Sequence, residues 1–137
     1  MRDDVALYAD YLTNIGVVAA MSGEPGESGE PGGLTTARRR WEEAMQLREQ
    51  HGLARTQDGL ETLGNLGWLA RMQNRHADMA EIYGRTTALA EELLGPGHTV
   101  HVRHALLLAD SLHRLGRPQQ ALARLRGWRP GLRTWGL

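Results

Sequence analysis

LGNLGWLARMQN, residues Leu63–Asn74, is the stretch on which the fold turns. Leu63 is followed three positions on by Leu66, and Leu66 at once by a small residue, Gly67. Apolar residues at that spacing share one face of a helix. The small residue sits where two helices can approach closely, since a bulky side chain would hold their backbones apart. The same arrangement occurs twice more, in LTNIGVVAAMSG from Leu12 (Leu12, Ile15, Gly16) and in ALLLADSLHRLG from Ala105 (Ala105, Leu108, Ala109). A second helical pattern follows each time: Ala37, Trp41 and Ala44; Met79, Tyr83 and Thr86; Ala121, Leu125 and Trp128.

Spacing makes these segments a repeat. From Gly67 to Ala109 is 42 positions, and from Gly16 to Gly67 is 51. Within the second and third units the small residue precedes the second-helix position (Met79, Ala121) by 12. In the first unit it precedes Ala37 by 21, an excess of 9 that accounts for the whole difference between 51 and 42. That excess falls within the insert GEPGESGEPGG, residues 23–33, whose composition predicts a flexible loop between two helices. Helices are expected at about 3–22, 34–51, 57–73, 76–94, 100–115 and 118–127. Thr56 or Asp58 can cap the third and Thr99 the fifth. Pro118 fits a first helical turn, and Pro130 is expected to end the last helix.

The pattern resembles the tetratricopeptide repeat, in the 42-residue form found in kinesin light chains; Ile82-Tyr83-Gly84-Arg85 and the run Leu93–Thr99, LLGPGHT, carry the likeness. Met79 and Thr86 stand where that family usually has a small residue, and Trp128 is larger than a tight helix crossing accepts. The resemblance implies an all-α fold, a right-handed α-solenoid of about three antiparallel hairpins, with repeats at about 3–52, 53–95 and 96–128 and an irregular tail, 129–137. It further implies a concave groove lined by the first helix of each hairpin. Asn14, Asn65, Trp68, Arg71, Arg103, Asp110 and Arg114 fall on groove positions. An asparagine amide both donates and accepts, so it can pair with a peptide backbone whatever the peptide's side chains. The alternative is that Asn14 and Asn65 serve backbone groups between helices. Trp68 is equally open to two readings, a ligand anchor or a filler between neighbouring hairpins.

Composition narrows the function. The 137 residues carry 16 basic and 16 acidic groups, and zero net charge argues against nucleic acid or an anionic membrane as partner. No continuous apolar run approaches bilayer length. The first ten residues, with three aspartates, do not read as a secretory signal. The absence of cysteine removes disulfides and thiolate chemistry, and with arginine as the sole strong base there is no lysine nucleophile. The cytoplasm is the expected location.

Nothing points to catalysis. There is no phosphate-binding loop or nucleophile elbow. Asp3–Asp4 and Glu42–Glu43 are neighbours whose side chains diverge on a helix. Arg38–Arg39–Arg40 precede Glu42 and Glu43 at helical spacing and should be neutralised by them. His98, His101 and His104 recur every third residue without a carboxylate at ligand spacing, so no metal or other cofactor is expected. The expected function is therefore non-enzymatic binding of a protein or peptide, as a scaffold or regulatory module. The alternatives are a structural or oligomerisation segment with an empty groove and, more remotely, a metal enzyme. Leu132, Trp135 and Leu137 lend the tail an apolar edge through which self-association is expected.

Overall fold

The computed structural model describes residues 2–22, 32–133 and 136, and for 131 and 132 the backbone alone. It is all-α, with no strand among the described residues. Among the described residues six helices follow one another: α1 (Arg2–Ser22), α2 (Gly32–Gln50), α3 (Gln57–Met72), α4 (His76–Leu94), α5 (Thr99–Arg114) and α6 (Pro118–Leu132). Residues 23–31 of the insert, Trp135, Leu137 and the side chain of Leu132 lie outside the described residues.

Three expectations need correcting. Gly32 and Gly33, read as insert, belong to α2. There Gly33 is required by proximity, because a Cβ at this position would lie 2.1 Å from the Ala19 carbonyl oxygen. Second, α6 does not stop before Pro130 but runs through it to Leu132. Proline's fixed φ is compatible with a helix, and the cost here is the one intrahelical bond that its nitrogen cannot donate. Third, α1 as a whole is long and apolar enough to cross a membrane by length and composition, although Asp10 and Asn14 interrupt the run.

The chain divides into two compact units, residues 1–69 and 70–137, with the boundary inside α3. In the first unit α1 and α2 pack antiparallel, as the order of their contacts shows. Arg2 reaches the Gly52 carbonyl, Asp10 meets Arg48, the Thr13 carbonyl accepts from Trp41, and Ala19 abuts Gly33. Gly16 lets the hairpin close, since a Cβ there would lie 2.4 Å from Trp41 Nε1. Trp41 is consequently buried and its indole N–H donates to the Thr13 carbonyl at 3.0 Å. Ala9, Leu12 and Ala44 form one apolar cluster; Ala37, Trp41 and Leu69 form another, flanked by Leu34 and Leu66. Thr13 and Thr62 place their buried hydroxyls 3.0 Å apart, tying α1 to α3. At the start of α3, Thr56 accepts from the Gly59 N–H at 3.1 Å, so of the two candidate caps the threonine serves.

In the second unit Ala70, Met79, Tyr83, Leu108, Ala109, Leu112 and Ala121 make the core, with Leu125 and Trp128 packed against it. Met79 and Thr86, both larger than the repeat's usual residue, are fully buried. Trp128 is accommodated too, meeting the His101 ring edge-on at a centroid distance of 6.4 Å. The turn into α5 needs glycine at Gly95 and Gly97, whose φ values are 93° and 84°. His98, not Thr99, caps α5: its ring accepts from the Val100 N–H at 3.1 Å.

Candidate functional site

The seven groove positions fall in both units and are taken unit by unit. On α1, Asn14 is exposed, one position beyond the buried Thr13. On α3, Asn65 comes one turn after Thr62 and is partly buried, and its Nδ2 is shielded from solvent without a hydrogen-bond partner. An amide donor in that condition costs about 1–3 kcal/mol relative to a paired one. Trp68 is one turn further along the same face. It is 40% exposed and stands edge-on to Trp41, with ring centroids 6.3 Å apart and planes at 77°. One side of the indole therefore rests against Trp41 while the other is open to solvent.

In the second unit Asp110 and Arg114 neutralise each other at 2.9 Å across one turn of α5. Both are well exposed, so the pair contributes at most a few tenths of a kcal/mol. Arg71, in the last turn of α3, and Arg103, on α5, are also exposed. Their charges act on the same buried phenol: burial raises the Tyr83 pKa, while Arg71 and Arg103 oppose that rise.

The histidines that recur every third residue have separate tasks. His98 caps α5, and His101 Nδ1 accepts from the Gly97 N–H at 3.3 Å. His104 Nδ1 lies 2.8 Å from the Thr86 hydroxyl, its ring tilted against Tyr83 at 5.6 Å. Burial, and secondarily the Arg103 charge, lowers the His104 pKa to about 4, so this imidazole is neutral at pH 7. Among the described residues no group of three histidine, aspartate or glutamate side chains could hold a metal ion. The arginine run is paired as its spacing predicted, Arg38 with Glu42 at 2.9 Å and Arg40 with Glu43 at 3.2 Å.

Two features escaped the sequence reading. Arg48 is buried and pairs with Asp10 at 2.6 Å across the hairpin. Nothing in the local sequence signals that pair, because its members are 38 residues apart. The other is an exposed apolar face on α1, whose signal was present in Tyr8, Tyr11, Ile15 and Val18 at alternating spacings of three and four.

No curated protein and no solved structure matches this chain. The family model of the tetratricopeptide repeat does match, over residues 60–99, from the first turns of α3 through α4 to the start of α5.

Proposed function

We propose that the chain is a binding module that takes an extended peptide segment of a protein partner along the exposed face of α3, as a scaffold or regulatory element. Tetratricopeptide repeats generally mediate protein–protein interaction, and the family is typically non-enzymatic. The observation that carries the reading is the pairing of Asn65 and Trp68, an unspent amide donor one turn from a half-open indole, within the matched stretch. Rotation of the Asn65 amide brings donor and acceptor to a peptide backbone, and the free side of Trp68 supplies an anchor of low conformational cost. The finer reading, a solenoid of 42-residue repeats of the kinesin-light-chain type with Asn14, Asp110 and Arg114 also at the groove, rests on the interval from Gly67 to Ala109. A cysteine-free sequence is in keeping with a cytoplasmic setting.

The test is selection of peptides on the immobilised chain, followed by calorimetry with the selected peptide. Trp68→Ala is expected to weaken binding by about 2 kcal/mol and Asn65→Ala by about 1 kcal/mol. Undiminished affinity in both variants removes α3 from the site. A collapse of the melting temperature in Trp68→Ala would make the indole a core residue instead.

A further inference from the structure

The zero net charge of the chain is a sum over two unlike halves. Residues 1–69 hold 6 arginines and 11 acidic groups, whereas residues 70–137 hold 10 arginines and 5 acidic groups. Beyond Asp110 the sequence has no acidic residue, and Arg117, Arg124, Arg126, Arg129 and Arg133 all fall on α6 and its two caps. Each of these five is exposed, and among the described residues none has an acidic partner. Arg38, Arg40 and Arg114, by contrast, are each paired. Uncompensated positive charge therefore collects on one helix, where a whole-chain average hides it.

Helical spacing sets this charge in two rows. Ala121, Leu125 and Trp128 turn into the core of the second unit. Arg126, Arg129 and Arg133, three and four apart, run along one flank of that buried face; Arg117 and Arg124, two turns apart, run along the other. Between the rows, on the side away from the core, lie Gln119, Gln120, Ala123 and Gly127, with Pro130 at the end, all exposed. A Cβ at Gly127 would have nothing within 4 Å, so this strip is low as well as open. Leu122, 41% exposed, is the one large apolar side chain exposed among those described on α6, and it stands in a row rather than on the strip. The strip thus has no aromatic or aliphatic anchor for a protein partner, and nothing to bury in a bilayer.

We propose that α6 lies in the major groove of B-form duplex DNA, its two arginine rows on the phosphates of the two bordering strands. A helix with its side chains is about 10–12 Å across and that groove about 12 Å wide. Guanidinium groups pair bidentately with phosphate oxygens, and the small residues of the strip let the helix settle between the strands. A flat anionic membrane cannot meet both rows at once, and the deep, narrow major groove of A-form RNA does not admit the helix. The surface shares no residue with the peptide-binding face of α3.

The test is fluorescence anisotropy of a short labelled duplex DNA titrated with the full chain at several salt concentrations. With five arginines on phosphates, the logarithm of the association constant should fall against that of salt with a slope of about −4.5. Arg126→Ala with Arg129→Ala should bring the slope to about −2.7 and weaken binding by about tenfold at low salt. Gly127→Leu should also weaken binding, because its side chain enters the groove, while Arg38→Ala and Trp68→Ala leave binding unchanged. Helicity by circular dichroism stays constant in all of these, since the altered positions of α6 are exposed. No binding at low salt overturns the proposal, as does a slope indifferent to the double alanine variant. Equal affinity for single-stranded DNA, or for duplex RNA, overturns the groove geometry. Equally effective competition by polyglutamate, or preferential co-sedimentation with phosphatidylserine vesicles, assigns the rows to an acidic protein or a lipid surface and overturns the assignment to DNA.

Discussion

The α1–α2 and α4–α5 hairpins solve one packing problem with opposite chemistry. In the first, close approach comes from absence: Gly16 and Gly33 have no side chain, and Trp41 and the Ala19 carbonyl occupy the vacated space. In the second, the interior is filled by Met79, Tyr83, Thr86 and His104. Polar groups are handled differently as well. The first hairpin buries a charge, Arg48, and matches it with Asp10. The second buries a titratable ring and keeps it neutral, with Thr86 as its partner. The lesson is that an antiparallel helix pair can close with glycine set against bulk or with medium-sized residues on both sides. The two hairpins should accordingly fail under different perturbations.

The largest expected effect breaks the charge in the first hairpin. Asp10→Ala leaves the buried Arg48 guanidinium without its carboxylate and should cost about 3 kcal/mol, read as a lowered urea midpoint. Gly16→Leu follows at about 2–3 kcal/mol, because the new side chain must displace a buried indole. A quenched or red-shifted tryptophan emission would accompany it if Trp41 is the group expelled.

The second hairpin should instead answer to acid. The folded-state pKa of His104 is depressed from 6.5 to about 4, so the folded form binds fewer protons than the unfolded one between those values. Stability is therefore complete above pH 6.5 and is lost as pH falls toward 4, by about 2–3 kcal/mol at pH 4.5. Comparing urea midpoints at pH 7 and pH 4.5 for the native chain and His104→Gln isolates this contribution. An equal acid sensitivity in both proteins would place the titrating group elsewhere.

The smallest effect sharpens the contrast. Gly84, in α4, has nothing within 4 Å of where a Cβ would stand, unlike Gly16. Gly84→Ala should be neutral or stabilising by up to about 1 kcal/mol through helix propensity. Destabilisation there would mean that the two glycines are equivalent and the comparison fails.

Much of the architecture was legible because it is local. The intervals among Gly16, Gly67 and Ala109 located the helices, and a period of three to four placed Leu12, Leu63 and Leu108 on inner faces, whereas Ile15, the counterpart of Leu66 and Leu108, is exposed. Those signals lie within single helices and depend on no distant partner. The close contact at Gly16 was likewise readable as a small residue in a fixed position, although its counterpart, Trp41, was read as one member of a separate helical pattern. The end of α6 was misjudged because the helix continues for two residues past Pro130 despite the backbone bond that its nitrogen cannot donate. Among the candidate site residues, exposure could be anticipated for Arg71 and Arg103, but not the unpaired Nδ2 of Asn65.

By itself the sequence determined the six helices of the described residues and their order, since backbone geometry converts residue spacing directly into a helical stripe. Only the tertiary structure decided which polar groups found partners. Asp10 and Arg48 are 38 residues apart and Thr86 and His104 are 18 apart, so neither pair shares a local pattern. It also decided that one of the two apolar faces of α1 is covered and the other is not. A helix with apolar residues on both sides states in sequence that it can be buried twice, and the position of α2 in space fixes which side is buried within the fold.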